Sequence, residues 1–336
     1  MNKIKKILVP TDFSNGSEKA YPVAQKIASA FGGTVDFLHV IPTVKYLNES
    51  MKKLGVPFNM EEDVYPKIIT ESEHRLEKAL KSYISDANRG EFFVKIDRKA
   101  SATITEHAKA NNYDLILMGV KGKDETSMFR GGTTERVIRN ASIPVFSVDE
   151  RFDENNIENI LVPTDSSYLS FAAFPFAVQL ADTFQSDLTL LHVLELYGSI
   201  SEDIPRDPDK GELLSIYEGL IKRLNEYLID SGVDDIHIQR TGVTYEDEVV
   251  LTEGGESRTL SLYTKIEYGV SAHFEIENYA EEHADLVVMT THGYSGLAHL
   301  LLGSTAEKVT QYVRKPVITI RPDKKQFKDS SRVNPS

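Results

Sequence analysis

The sequence contains one pattern twice, and this repeat limits the folds that the chain can adopt. Ile7–Asp12 reads ILVPTD, and the same residues recur as Ile160–Asp165, 153 positions further along. At the same offset, Leu38–Val40 matches Leu191–Val193 without a gap. Solenoid repeats have about 20–45 residues, so a period of this length indicates whole domains. The sequence therefore predicts two homologous domains in tandem, spanning residues 1–150 and 157–323.

Strand-like and helix-like segments alternate within each copy. In copy one, short runs of β-branched and apolar residues predict five strands, at residues 6–9, 34–41, 91–97, 115–119 and 145–148. Amphipathic segments between them predict helices. Alternation of this kind gives right-handed crossovers, so the strands are parallel and helices cover both faces of the sheet. We therefore predict an α/β fold with two Rossmann-like doubly wound domains in tandem, each with a five-stranded parallel sheet.

The second copy contains additional residues around 241–267. Val249–Glu253 and Glu256–Tyr263 flank Gly254-Gly255, and a two-residue Gly-Gly loop suits the tight turn of a β-hairpin. Two interpretations of this acidic hairpin stay open. It is either a solvated hairpin at the sheet edge or a functional element such as a lid or a dimer arm, because long insertions in compact domains are often functional.

Composition excludes several classes of protein. The sequence contains no cysteine, which excludes disulfide scaffolds, thiolate nucleophiles and Cys-ligated metal sites. The net charge of −13 argues against nucleic acid and against an anionic membrane surface as partners. Neither a secretory leader nor a run of about 18 apolar residues is visible. We therefore expect a soluble, cytoplasmic protein.

The first two strands of each copy end in residues that can bind a ligand. Ligands of open doubly wound sheets bind beyond the carboxyl ends of the strands. An aspartate there accepts hydrogen bonds from a ribose or an amine, or it caps the following helix. Near the end of the second strand, His39 and His192 are more typical of packing than of catalysis. The residues at the end of the first strand are Pro10, Thr11 and Asp12 in copy one and Pro163, Thr164 and Asp165 in copy two.

Glycine-rich segments follow the fourth strand of each copy. Glycines let backbone amides approach a phosphate closely, and the helix that follows contributes its positive N-terminal end. An ordinary turn would also use glycines, but their recurrence in both copies opposite the aspartate favours a phosphate site. The residues are Gly119, Gly122, Gly131, Gly132, Thr133 and Thr134 in copy one and Thr290, His292, Gly293, Gly303, Ser304 and Thr305 in copy two.

This arrangement resembles the universal stress protein family, whose nucleotide-binding members carry Gly-x-x-Gly, nine further residues, and then Gly followed by Ser or Thr. The resemblance covers nearly the whole chain twice, apart from the insertion and the residues after about 321. It implies that an adenine nucleotide, ATP or AMP with any Mg²⁺ that ATP brings, binds to one or both copies. The early aspartate would lie near adenosine, Val40 or Val193 would line the adenine pocket, and the glycine loop would hold the phosphates.

Both copies depart from the family motif. Thr290 stands at the first glycine of copy two, where its Cβ would crowd a nucleotide. In copy one, counting from Gly122 places Gly132-Thr133 at the Gly-Ser/Thr pair. Aligning the helix that follows instead places Gly131 there and removes the hydroxyl. These departures favour copy two as the better site.

Three functions remain open. The first is a nucleotide-binding stress-response or signalling module without dedicated catalysis. The second is a slow ATPase or nucleotidyl-transfer enzyme, for which His292 is a candidate. No nucleophile–base pair recurs in both copies, so we assign no catalytic residue, and because the sequence shows no metal-ligating constellation we assign no metal ligand. The third is an interaction module with vestigial pockets.

We also expect the fifth strands of the two copies to pair within one chain, because unpaired edges invite association, and further homodimerisation stays open.

Overall fold

The protein was characterised in a computed structural model. The structure describes residues 4–43, 53–54, 59–120, 132–148, 157–196, 210–292 and 302–322. The chain forms two compact units, residues 2–150 (unit one) and residues 151–336 (unit two).

Unit one is a parallel five-stranded sheet whose strands alternate with helices. Its strands are β1 (Lys6–Pro10), β2 (Thr34–Pro42), β3 (Arg89–Asp97), β4 (Leu115–Gly119) and β5 (Val145–Val148). Its α-helices are α1 (Asn15–Glu18), α2 (Ala20–Phe31), α3 (Tyr65–Tyr83), α4 (Ala100–Ala110) and α5 (Gly132–Asn140), and a π-helical turn (Met60–Val64) precedes α3. The strand order is β3-β2-β1-β4-β5. The direction of winding reverses between β1 and β4, which creates a ligand cleft in folds of this type.

Local sequence explains the first strand and the helices after it. Ile7, Leu8 and Val9 are completely buried, as expected of a central strand that is covered on both faces. Ser14 is the N-cap of α1, and its hydroxyl accepts a hydrogen bond from the Ser17 amide. Helix α2 ends at Gly32, which adopts a left-handed φ of 60°.

Unit two repeats this plan and adds two strands. Its strands are β6 (Asn159–Thr164), β7 (Asp187–Glu195), β8 (Ile236–Val243), β9 (Glu246–Glu253), β10 (Glu256–Gly269), β11 (Leu286–Thr290) and β12 (Val317–Ile320). Its helices are α6 (Tyr168–Phe171), α7 (Phe174–Phe184), α8 (Lys210–Asp230), α9 (Ala272–His283) and α10 (Ser304–Tyr312). The order is β12-β11-β6-β7-β10-β9-β8, and the first five strands of this order are parallel.

The sequence predicted a five-stranded parallel sheet and a hairpin within residues 241–267 of this unit. The hairpin is present as β9 and β10, and β8, which begins before the insertion at Ile236, pairs with β9. β9 and β10 are antiparallel on either side of Gly254 and Gly255, whose φ angles of 63° and 90° favour glycine. β10 has 14 residues, which is long enough to pair with β9 and then with β7. It therefore takes the place beside β7 that β3 takes beside β2, and residues assigned to the insertion supply the fifth parallel strand.

The hairpin is bound to its own unit at the tip as well as along its strands. Arg258 Nη1 lies 2.8 Å from Asp182 Oδ2 in α7, and Arg258 Nη2 lies 3.1 Å from Glu253 Oε2. On β8, which is last in the strand order, the Ile238 amide donates to Asn225 Oδ1 at 3.2 Å. The Asn225 side chain thus accepts the hydrogen bond of one backbone amide of β8. This leaves β8 with fewer free amides that could pair with another strand.

Candidate functional site

Each unit has a cavity at the carboxyl ends of its central strands. In unit one the cavity has a volume of about 210 Å³ and lies between the ends of β1, β2 and β4 and the first turns of α1, α4 and α5. In unit two a cavity of about 120 Å³ lies at the same place, between β6, β7, β11 and the first turns of α9 and α10. The cleft that the doubly wound fold predicts is therefore present in both units.

In unit one, the loop after β1 forms a compact hydrogen-bonded turn around Asp12. Asp12 Oδ1 accepts hydrogen bonds from the Ser14 amide at 3.0 Å and from Ser14 Oγ at 2.6 Å. Partial burial by itself raises the pKa of Asp12, but the hydrogen bonds from Ser14 and Ser17 outweigh this effect and hold the pKa below its ordinary value. Asp12 therefore faces the cavity as a carboxylate.

Hydroxyl groups beneath Asp12 link the cavity wall to the core. Ser17 Oγ donates to the Ser14 carbonyl, so the hydroxyl of Thr11 donates to Ser17 Oγ, which lies 3.0 Å away. The Tyr21 hydroxyl lies 2.6 Å from Thr11 Oγ1 and completes the chain. Tyr21 is buried, and burial raises its pKa to about 12. The network thus holds the end of β1 in one conformation.

Unit two reproduces the turn around Asp165. Asp165 Oδ1 accepts from the Ser167 amide at 3.0 Å and from Ser167 Oγ at 2.6 Å, and Thr164 Oγ1 lies 2.7 Å from Ser170 Oγ. The residue after the aspartate adopts a left-handed conformation in both units, with φ of 61° at Phe13 and 65° at Ser166. A left-handed φ is uncommon for residues other than glycine, so its presence at the same position in both units indicates that the two units form the same turn.

A histidine of the second strand in each unit, in β2 or β7, forms a hydrogen bond with the backbone of this turn. His39 Nδ1 lies 2.8 Å from the Thr11 carbonyl oxygen, and His192 Nδ1 lies 2.9 Å from that of Thr164. Because a carbonyl only accepts, each Nδ1 carries the proton. The sequence-based preference for a packing role agrees with this geometry.

Close packing of β4 against α1 requires a glycine at position 119, in addition to any need for a ligand to come close to the backbone there. A Cβ at Gly119 would lie 1.9 Å from the Gly16 carbonyl oxygen and 2.7 Å from the Ser17 Cα. The Cβ direction at this position therefore points toward the backbone of α1. In unit two Thr290 occupies this place, lines the cavity and donates its hydroxyl to the His292 carbonyl at 2.7 Å.

Helix α10 directs its first turn toward the cavity of unit two. Gly303 is its N-cap and provides no side-chain hydrogen bond, so the helix begins without a capping group. The Gly303 amide donates to the Thr291 carbonyl at 2.8 Å, which fixes the start of the helix near β11. Ser304 and Thr305 lie in this first turn and line the cavity. Free amides at a helix N-terminus attract anions.

All predicted site residues that the structure describes line the two cavities. In unit one these are Pro10, Thr11, Asp12, Val40, Gly119, Gly132, Thr133 and Thr134. In unit two they are Pro163, Thr164, Asp165, Val193, Thr290, His292, Gly303, Ser304 and Thr305. Gly122, Gly131 and Gly293 lie outside the described residues.

The sequence interpretation predicted the helix after the third strand but missed that it closes one side of each cavity. Ala100 and Ile104 of α4 line the cavity of unit one, and Ala272 and Ile276 of α9 line that of unit two. The signal was present, because the same Ala and Ile recur at helical spacing at equivalent places in both copies. Their apolar side chains suit the flat face of an aromatic ring.

The lining is poor in charged groups. Among the described residues, each cavity is lined by one carboxylate, Asp12 or Asp165, and by neither lysine nor arginine. His292 is buried, and its Nδ1 lies 2.9 Å from Thr291 Oγ1. Within the same residues there is no cluster of three or more His, Asp or Glu side chains that could hold a metal ion. An anion would therefore be bound by backbone amides, hydroxyl groups and helix N-termini.

Comparison with known proteins gives the family. The family model described as "Universal stress protein family" matches residues 3–149 and again residues 156–321. The chain belongs to the universal stress protein family. Two tandem-length relatives cover almost the whole chain. A universal stress protein of Synechocystis sp. is 23% identical over 335 residues, covering 95% of this chain and 100% of the relative. The universal stress protein E homolog of Haemophilus influenzae is 24% identical, covering 96% and 99%.

A solved universal stress protein is similar in fold over most of the chain. The crystal structure of the protein from Archaeoglobus fulgidus has a TM-score of 0.60 and 19% sequence identity, covering 95% of this chain and 99% of that one. The tandem α/β architecture predicted from the sequence is therefore confirmed. No helix within the described ranges is long and apolar enough to cross a membrane.

Proposed function

We propose that this universal stress protein binds an adenine nucleotide, ATP or AMP, in the cavity of each unit and acts as a binding module without a dedicated catalytic step. The observation that carries the proposal is the repeated geometry. In both units a serine-bound aspartate lies on one side of the cavity, and the first turn of a helix with hydroxyl side chains lies on the other.

The chemistry of the two sides suits the two ends of a nucleotide. The carboxylates of Asp12 and Asp165 line the two cavities, and each uses its Oδ1 in its own turn. A carboxylate in this place would accept hydrogen bonds from ribose hydroxyls. The amides at the start of α10 and the hydroxyls of Ser304 and Thr305 suit phosphate oxygens. Between them, the apolar residues of α4 or α9 would contact the base. Any Mg²⁺ would enter with ATP and take its ligands largely from phosphate oxygens and water.

We further propose that unit two binds more tightly. Gly303, the N-cap of α10, is followed directly by Ser304 and Thr305, whereas α5 begins with Gly132 and then has Thr133 and Thr134. Thr290 narrows the cavity of unit two, but its hydroxyl is already used by the His292 carbonyl, which holds the side chain in one position.

The test is isothermal titration of the full chain with ATP and with AMP. Val193→Phe places a larger side chain in the cavity of unit two, and Val40→Phe does the same in unit one. We expect saturable binding by the wild-type protein, loss of the tighter component in Val193→Phe, and loss of the weaker one in Val40→Phe. Val243→Phe, at a valine of β8 that is 53% exposed, is the matched control and leaves binding unchanged. Absence of saturation at millimolar nucleotide refutes the proposal.

A further inference from the structure

Unit two has a second open cavity, at the opposite ends of its strands. It has a volume of about 730 Å³, within the range of pockets that hold small molecules. Asn159 is the first residue of β6, Thr189 is near the start of β7, and Asp285 precedes β11, so the cavity lies at the amino ends of the central strands. It is separate from the proposed nucleotide cavity, because the two share no lining residue.

The same place in unit one is filled by a packed polar and aromatic cluster. The Tyr113 hydroxyl donates to Asp36 Oδ2 at 2.6 Å, and Lys6 Nζ lies 4.4 Å from the centroid of the Tyr113 ring. Phe93 and His107 pack edge to face at 4.7 Å, and the His107 ring lies 5.7 Å from that of Tyr113. Tyr113 and Asp36 are buried. These side chains thus pack against one another at this site in unit one.

Unit two lacks most of the groups that fill this site, although the offset of 172 that relates Ala100 to Ala272 places Tyr279 at the position of His107. The repeat offset of 153 places Asn159 at the position of Lys6 and Thr189 at that of Asp36, and the offset of 171 after the insertion places Ala284 at that of Tyr113. The strand ladders place Lys265 where unit one has Phe93. Replacing a buried tyrosine by alanine removes the whole ring with its hydroxyl and leaves space unless neighbours collapse into it. Ala284 is in the lining of the cavity of about 730 Å³, so space remains beside it in unit two.

The lining of this cavity combines hydroxyl groups with aromatic rings. Tyr263 is 41% exposed and pairs in register with Thr189, while the rings of Tyr279 and His283 lie 4.7 Å apart. Thr264 is nine-tenths buried, and its Oγ1 has no hydrogen-bond partner among the described residues. A buried hydroxyl without a partner is costly, so a polar group bound nearby would relieve it.

Two of the charged groups at this cavity, Asp285 and Lys265, have partners within the unit. Asp285 Oδ2 accepts hydrogen bonds from the amides of Glu158 at 3.0 Å and Asn159 at 2.9 Å. Lys265 Nζ lies 3.2 Å from Glu267 Oε1. Both signs of charge occur in the lining, so the cavity offers no single-sign field that selects an ion.

We propose that this cavity binds a neutral polyhydroxylated ligand of the sugar class. Hydroxyl groups of a sugar both donate and accept, which matches threonine and tyrosine hydroxyls and paired carboxylates. The carbon-bound hydrogens of a sugar ring pack against an aromatic face such as that of Tyr263. Lipids are disfavoured because burying this polar lining against an alkyl chain leaves its groups without partners.

The test is titration of the full chain with glucose, maltose and trehalose, with glucose 6-phosphate as the anionic comparison. Ala284→Tyr restores the ring that unit one has at Tyr113, and Tyr263→Ala removes the exposed ring. We expect saturable binding of at least one of the three neutral sugars, loss of it in Ala284→Tyr, and about tenfold weaker binding in Tyr263→Ala, equivalent to about 1.4 kcal/mol.

Tyr83→Ala is the matched control, because Tyr83 is 44% exposed and lies in unit one. It leaves sugar binding unchanged, and circular dichroism checks the fold of each variant. The proposal is overturned if none of the three sugars saturates the wild-type protein, if Tyr263→Ala binds as the wild type does, or if glucose 6-phosphate binds more tightly than glucose. ATP titration of the same variants is independent of these results, so failure of this proposal and failure of nucleotide binding are distinguishable.

Discussion

Replacing Gly119 by alanine tests whether close backbone packing requires a glycine at the end of β4. The added Cβ would lie 1.9 Å from the Gly16 carbonyl oxygen, 2.7 Å from the Ser17 Cα and 2.8 Å from the Gly16 carbonyl carbon. All three atoms belong to backbone, so relief requires α1 to move away from β4. Overpacking typically costs about 1–3 kcal/mol, and contacts this short with backbone place the cost near about 3 kcal/mol.

Urea denaturation monitored by circular dichroism measures this cost. With a slope of about 2 kcal/mol per molar urea, a loss of about 3 kcal/mol lowers the midpoint of the unit-one transition by about 1.5 M. Gly132→Ala is the matched control, because its Cβ would meet only the Arg136 side chain, at 3.7 Å or more. We expect that control within about 0.5 kcal/mol of the wild type. A Gly119→Ala midpoint equal to that of the control refutes the packing argument.

Two further predictions concern Asp12 and the hairpin. The pKa of Asp12 in the folded protein is below its ordinary 3.8, so its contribution to stability is complete above that value and is lost as the pH falls through the folded pKa. Asp12→Asn therefore lowers the urea midpoint at neutral pH, and the difference shrinks as the pH falls below 3.8; a difference independent of pH contradicts this. Arg258→Ala breaks the 2.8 Å contact with Asp182 and costs about 1 kcal/mol or less, because Arg258 is about half exposed. Hydrogen exchange at the hairpin tip should accelerate, and equal rates in variant and wild type would show that the tip is not anchored.

Much of the fold could be predicted because the signals are local and occur twice. The apolar run at Ile7–Val9 marks a buried strand, and the left-handed φ of Gly32 ends α2. Both signals depend on residues that are close together in the sequence. The insertion was harder to interpret. Its Gly254-Gly255 turn is a local signal, but pairing of β10 with β7 depends on contacts more than 60 residues apart in sequence, which no local pattern encodes.

The sequence by itself determined the tandem repeat and the parallel α/β plan. It also determined which segments line the two cavities, such as those at Pro10 and Thr134 in unit one and at Pro163 and Thr305 in unit two. It could do so because the carboxyl ends of the strands in this fold always meet at one edge of the sheet. Tertiary structure alone decided why Gly119 has no side chain, how β10 completes the second sheet, and where unit two leaves a second cavity. These depend on distances between segments far apart in the chain, and a packed interior sets such distances only after all its neighbours are in place.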